Sequence, residues 1–273
     1  MKKSIYSLGC LILALFSFLL SEIYNSQEDR IFRSKTLPQN HVFHYPGQFK
    51  EVYLQTGKDA TLHGLHFKAK TPKGVVLYFH GRGWNLGSLH KRSAIPEDFI
   101  TRGYDCFIID YRGFGKSTGK RSEDAIYHDA SCAYDYLLES YPEDQITVYG
   151  MSFGTGVAAQ LASCRNPHQL ILEAPYTSML DMAEKTIPYL PKFMLAWLLK
   201  YHIPTEEFIS KISCPIHIFH GTHDTLIPHS SSQKLLLRVA QNVRAKLTSI
   251  DNGSHDHLPS YQEYSEQLDH LLN

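Results

Sequence analysis

ITVYGMSFGTGVAAQLA, Ile146 to Ala162, decides how the chain folds. A short run rich in β-branched residues stops at Gly150, and a helical run of small residues follows. Between them stands Ser152, with a glycine two residues away on each side. Gly150-Met151-Ser152-Phe153-Gly154 is G-x-S-x-G, the pattern of a strand that turns sharply into a helix with a serine at the tip. Such a turn holds the serine in a strained backbone conformation. Side chains at the flanking positions would collide with the neighbouring strand and helix, hence the glycines. The N–H of Phe153, next in line, then points at a developing oxyanion. The same letters carry a rival reading. Gly154, Gly156 and Ala159 spell G-x-G-x-x-A, and Glu173 ends the next strand near the spacing of a ribose-binding acid. A dinucleotide fingerprint begins at the strand's end, however, and here Met151, Ser152 and Phe153 intervene. The small residues read more simply as close helix–sheet packing.

Outward from this stretch the pattern repeats. Val75–His80, Cys106–Asp110, Ile146–Gly150, Leu170–Glu173, Ile216–His220 and Ala245–Ile250 are short apolar runs, as expected of strands covered on both faces. Glu51–Gln55 and Thr61–Ala69 precede them around a Gly57-Lys58-Asp59 turn. Amphipathic helices alternate with the strands, at Ser122–Ser140, Ser230–Asn242 and Tyr261–Leu272. The alternation predicts an α/β fold, a mostly parallel eight-stranded sheet with helices on both faces. Residues 176–210 break the rhythm with aromatic, Met and Leu residues interrupted by three prolines. They predict a small helical cap insertion over the sheet's C-terminal edge.

Ligands of such sheets bind outside the carboxyl ends of the strands. A serine nucleophile needs a base, and the base needs an orienting carboxylate. Asp224 lies just past Ile216–His220, and His255 lies on the loop after Ala245–Ile250. With Ser152 they form three residue types, each beyond a separate strand end, in the order nucleophile, acid, base. His257 is the runner-up base; Asp251 and Asp256 are weaker acids because they share the base's own loop. The loop His80-Gly81-Arg82-Gly83 supplies a second oxyanion donor, Arg82 N–H first and Gly83 second. Gly115-Lys116-Ser117 imitates a phosphate loop but lacks its first glycine, since position 110 is Asp110. Asp110, Arg112 and Ser117 read instead as organisers of their loop. Scattered histidines, His217 and His220 among them, show no zinc spacing. No metal and no cofactor is expected.

The chain has 273 residues, 16 histidines and a formal net charge of zero. The absence of any basic block argues against nucleic acid as a partner. Five cysteines do not make a disulfide framework, although a bridge among the four beyond Cys10 stays open. Lys2 and Lys3 precede an apolar run that extends over Ile5–Ile23, about the minimum for a membrane span. Residues 1–23 are therefore expected to be a membrane anchor or a signal peptide, with the catalytic domain outside the cytoplasm. Residues 24–48 read as a polar linker or arm, and residues 49–273 as the folded domain.

Taken together, the His80-Gly81 loop, Asp110–Ser117, the Ser152 turn, Gly221–Pro228 and Gly253–Tyr261 resemble the α/β-hydrolase superfamily. Within it the chain is similar to the Bem46-like, serine aminopeptidase S33-like group of membrane-anchored hydrolases. The resemblance covers roughly residues 50–272. It implies the α/β-hydrolase fold, with Ser152, Asp224 and His255 as nucleophile, acid and base. Where such proteins often have Gly-Gly-His-Asn, this chain has Gly253-Ser254-His255-Asp256. The expected activity is hydrolysis of an acyl ester or thioester, the substrate a small acyl compound of lipid-like character. A peptide bond is the lesser alternative, and a non-catalytic, membrane-tethered binding protein is the reading from another class.

Overall fold

The computed structural model describes residues 2–89 and 95–273; the side chains of residues 2–9 and of Ile12 lie outside the described set. The chain opens with helix α1 (Lys2–Asn25) and a single further turn and a half, α2 (Gln27–Phe32). Strands β1 (Gln48–Gly57) and β2 (Ala60–Lys68) form a hairpin, followed by β3 (Gly74–Phe79), the short α3 (Glu97–Ile100) and β4 (Tyr104–Asp110). Then come α4 (Glu123–Leu138), β5 (Ile146–Met151), α5 (Phe153–Cys164) and β6 (Gln169–Glu173). Three small helices, α6 (Met179–Thr186), α7 (Lys192–Leu198) and α8 (Thr205–Ile209), lead to β7 (Ile216–Gly221). The chain ends with α9 (Ser230–Leu236), β8 (Ala245–Ile250) and α10 (Gln262–Leu272).

The eight strands form one sheet in the order β1-β2-β4-β3-β5-β6-β7-β8. β2 pairs antiparallel with β1 and β4, and every other neighbouring pair is parallel. With the helices on both faces this is the α/β-hydrolase fold. One face packs under α4, α5, α8 and α9 around Val148, Val157, Leu172 and Ile218. The other packs under α3 and α10 around Tyr78, Phe99, Tyr149 and Tyr264. β3, β5, β6 and β7 are buried along their whole length, which explains their continuous apolar runs. Helix α4 starts on Ser122, whose side chain accepts the Ala125 N–H at 3.1 Å.

Two segments differ from the sequence-based expectation. The helix predicted over Ser230–Asn242 ends at Leu236, because Arg238 and Val239 close tighter three-residue turns onto Leu235 and Leu236 while Leu237 points into solvent. The expected anchor lies in helix α1, Lys2–Asn25, but among the described residues no helix is long and apolar enough to cross a membrane. The first part of the expected anchor, residues 1–9, falls outside the described side chains. All five cysteines are free, so the open question of a bridge resolves to none.

Candidate active site

The nucleophile elbow is built as its sequence demands. Ser152 has φ 50° and ψ −116°, a region L-residues rarely adopt, and is 5% exposed. Its N–H donates to the Glu173 carbonyl at 2.8 Å, and its own carbonyl accepts from the Thr155 N–H and hydroxyl. A Cβ on Gly150 would stand 2.5 Å from the Gly154 carbonyl, and one on Gly154 would run into the Phe79 carbonyl. The glycines therefore serve the close approach of α5 to β3 and β5.

Ser152, His255 and Asp224, 103 and 31 residues apart along the chain, meet at the C-terminal rim of the sheet. Ser152 Oγ lies 2.9 Å from His255 Nε2, and His255 Nδ1 lies 2.7 Å from Asp224 Oδ2. Asp224 Oδ1 accepts the Leu226 and Ile227 N–H groups, each at 2.8 Å. Burial pushes its carboxyl up, but hydrogen bonds from His220 and His255 and the Ile227 amide outweigh that and hold it well below the usual carboxylate range. The loops that carry Asp224 and His255 are tied together by backbone bonds from Thr222 to Ile250 and from His223 to Gly253. His257, by contrast, is exposed and opens a 3-10 turn.

The oxyanion candidates flank the serine. Phe153 is the first residue of α5, and the Gly81 backbone passes so close that a Cβ there would sit 3.4 Å from Ser152 Cβ. The Gly83 N–H is already donated to the Phe32 carbonyl at 2.8 Å, whereas the Arg82 N–H makes no backbone bond among the described residues. Asp110 and Ser117 do organise their loop: Asp110 accepts the Leu86 N–H, and the Ser117 hydroxyl donates to the Asp110 carbonyl at 2.6 Å. Arg112 clamps Asp129 through two 2.8 Å bonds. No histidine, cysteine and carboxylate group fit to hold a metal occurs among the described residues.

Three features of the site were not read from the sequence. His220, fully buried, places Nε2 3.3 Å from Asp224 Oδ2, with Nδ1 2.6 Å from Ser232 Oγ. Glu173, at the end of β6, is also buried and accepts the Tyr149 hydroxyl at 2.5 Å; burial raises it to about 7 despite that bond. Third, residues 27–37 form one wall of the site. Phe32 is fully buried against Phe114, Phe153 and Tyr201, and Gly115 accepts the Leu37 N–H and donates its own N–H to the Lys35 carbonyl, on either side of the Thr36 bridge. The isolated Ile31-Phe32 pair in a polar stretch was the only signal of this.

Two cavities open at Ser152. One, of about 560 Å³, is mostly apolar, with Met179, Met182, Ile187, Leu195 and Leu198 of the cap facing Ile23 of α1. The other, of about 510 Å³, lies on the side of Gly81–Trp84 and His255.

The family model for serine aminopeptidase, S33, matches residues 70–209. The chain is 32% identical over 200 residues to the lysophosphatidylserine lipase ABHD12 of Danio rerio, covering 68% of this chain and 52% of that protein. It thus spans about half the length of that lipase. It is 27% identical to the protein bem46 of Schizosaccharomyces pombe over 91% of this chain and 86% of that one. Among solved structures, an esterase of Pyrococcus furiosus superimposes with a TM-score of 0.67 at 21% identity, over 86% of this chain and 94% of that one. An acetyl xylan esterase from Paenibacillus sp. R4 gives 0.64 at 15% identity, over 94% and 93%. The chain belongs to the serine aminopeptidase S33 family of α/β-hydrolase enzymes, on its Bem46-like side.

Proposed function

We propose that the chain hydrolyses acyl esters or thioesters through a covalent acyl-enzyme. The observation that carries this reading is the unbroken hydrogen-bonded chain from Ser152 Oγ through His255 to Asp224, at a point where an apolar cavity opens. His255 Nε2 takes the Ser152 proton as the hydroxyl attacks the carbonyl carbon. Asp224 fixes the imidazole tautomer and stabilises the imidazolium. The Phe153 and Arg82 N–H groups bind the tetrahedral oxyanion, about 3 kcal/mol for each donor. His255 then gives its proton to the departing alcohol or thiol, the acyl group stays on Ser152 Oγ, and water releases it by the reverse proton path.

The acyl side fits the cap cavity, whose lining of Met, Leu and Ile suits a hydrocarbon chain. The lipase name of the Danio rerio relative supports the same substrate class. The exposed Leu11, Leu13, Leu15 and Phe18 of α1 support attachment to a membrane, which would bring lipid-like esters to the site.

A fluorophosphonate probe tests the reading. Wild type labels and Ser152→Ala does not; a folded wild type that stays unlabelled sinks the proposal in favour of a binding protein. p-Nitrophenyl esters of increasing chain length, acyl-CoA thioesters and aminoacyl anilides then separate ester, thioester and peptide chemistry.

A further inference from the structure

Asp224 is held from one more side than a triad requires. Its Oδ1 takes the Leu226 and Ile227 amides, and its Oδ2 takes His255 Nδ1. His220 Nε2 stands 3.3 Å from the same Oδ2. His220 belongs to β7, a strand buried along its whole length, whereas Asp224 sits on the turn just beyond it. Both His220 and its other side-chain partner, Ser232, are fully buried.

The hydrogen-bond pattern fixes where the His220 proton lies. Nε2 faces two acceptors, the Asp224 carboxylate and the Ile227 carbonyl, the latter at 3.0 Å. Neither can donate, because Asp224 is held ionised. Nε2 therefore carries a hydrogen and directs it at both. Across the ring, Nδ1 lies 2.6 Å from the hydroxyl of Ser232, the third residue of α9. A hydroxyl can give or take a hydrogen bond, so Ser232 serves the ring without drawing the proton off Nε2.

These contacts close on themselves. The Ile227 N–H donates to Asp224 Oδ1 while the Ile227 carbonyl accepts from His220. One imidazole thus ties both the carboxylate and the backbone of the 224–227 turn to the strand. The consequence is independence. With Oδ1 pinned by two amides, the carboxylate can still pivot about that oxygen. His255 alone would then decide where Oδ2 rests, and an acid held only by the base it must orient drifts with that base. A second, charge-assisted donor on a rigid strand removes this freedom.

We propose that His220 is a positioning residue of the reaction: its Nε2–H fixes Asp224 Oδ2 in the orientation that sets the tautomer and direction of His255. This rests on the acyl-hydrolase reading above and extends the working unit to Ser232, His220, Asp224, His255 and Ser152. His220 touches no substrate, and its own proton stays in place. The travelling proton passes only between Ser152, His255 and the leaving group.

The test uses the full chain, one p-nitrophenyl ester and the fluorophosphonate probe. His220→Phe keeps a ring but removes the donor. Its kcat should fall about 10- to 100-fold, the range expected for a lost hydrogen bond to a charged group. KM should stay within about twofold, because no substrate contact is lost, and labelling should slow in parallel with kcat. His220→Gln returns an N–H to the position of Nε2 and should restore most of the rate. In the wild type, nitrogen-15 NMR should find the His220 proton on Nε2, a measurement that needs no variant to fold. A folded His220→Phe with kcat within about threefold of wild type overturns the proposal. So does a His220→Gln as slow as His220→Phe, which would assign the loss to packing, or a wild-type His220 protonated on Nδ1 alone. Each of these spares the hydrolase reading while wild type still labels. A wild type that neither labels nor cleaves the ester overturns both.

Discussion

The rim of the sheet and the outer wall of the site are held by different means. On the rim, Ser152, Asp224 and His255 follow the ends of β5, β7 and β8, and backbone bonds between adjacent loops fix them. The outer wall is assembled from α6, α7, Ile23 and residues 27–37. It coheres through a small apolar cluster of Ile23, Ile187, Leu190, Leu195 and Leu198. The rim is therefore built for one geometry within hydrogen-bond tolerance, and the wall for a volume. Changes at the rim should act on rate, and changes in the wall on which substrate is taken.

The largest expected effect tests the rim. Asp224→Asn leaves the shape of the site but no longer favours the tautomer that receives the Ser152 proton. On any good ester kcat should fall roughly 10³- to 10⁴-fold, with fluorophosphonate labelling slowed in parallel. A loss smaller than tenfold would mean that His255 is oriented by something other than Asp224, and the contrast between rim and wall would fail.

Glu173 gives a second test, on stability rather than rate. It sits beneath the rim, facing the Tyr149 hydroxyl, with Tyr264 next along the chain of hydroxyls and His255, Asp98 and Asp256 acting through space. Its folded pKa of about 7 lies above its ordinary 4.5. A carboxyl raised in this way contributes full stability below its unfolded pKa and loses it as pH rises through the folded one. Wild-type stability should thus decline between about pH 4.5 and 7, by up to about 3 kcal/mol. In Glu173→Gln that decline should vanish, so the variant melts higher than wild type at pH 8. Asp224 has the opposite sign: its depressed pKa adds stability that is present above the unfolded value near 4 and is lost at lower pH. Thermal melts of both proteins from pH 4 to 8 check the sign; parallel curves would mean that Glu173 titrates alike in the folded and unfolded chain.

The same contrast explains what the sequence made legible. Buried parallel strands leave short apolar runs, and each residue of the rim follows one, so Ser152, Asp224 and His255 could be named from position and order. The glycines at 150 and 154 carried the elbow because their hydrogens are the only substituents the packing admits. Nothing comparable marks the wall. Phe32 becomes a fully buried anchor only when the polar segment around it lies across the β3 and β4 loops, a tertiary event with no local period. His220 looked like any strand histidine, because its contact with Asp224 comes from a turn that doubles back after Gly221. Glu173 looked like a strand end; its partner Tyr149 is met in turn by Tyr264 of the C-terminal helix.

The smallest effects come from α7, where two residues on opposite faces separate wall from surface. Leu195 is 2% exposed and lines the apolar cavity, whereas Trp197 is 77% exposed. Leu195→Ala removes methyl groups from a small cluster, which costs about 2–3 kcal/mol of local packing. It also lengthens the cavity, so the preferred acyl chain should grow while kcat on a short ester changes only a few-fold. Trp197→Ala takes nothing from the packed interior and should shift stability by less than about 0.5 kcal/mol. Melting curves with a chain-length series on both variants decide the matter. If Leu195→Ala lowered kcat on every chain length equally, the wall would be setting the geometry of Ser152 and His255 as well as the volume beside them. If Trp197→Ala altered chain preference in dilute detergent-free solution, the ring would be folding inward over the cavity rather than standing in solvent.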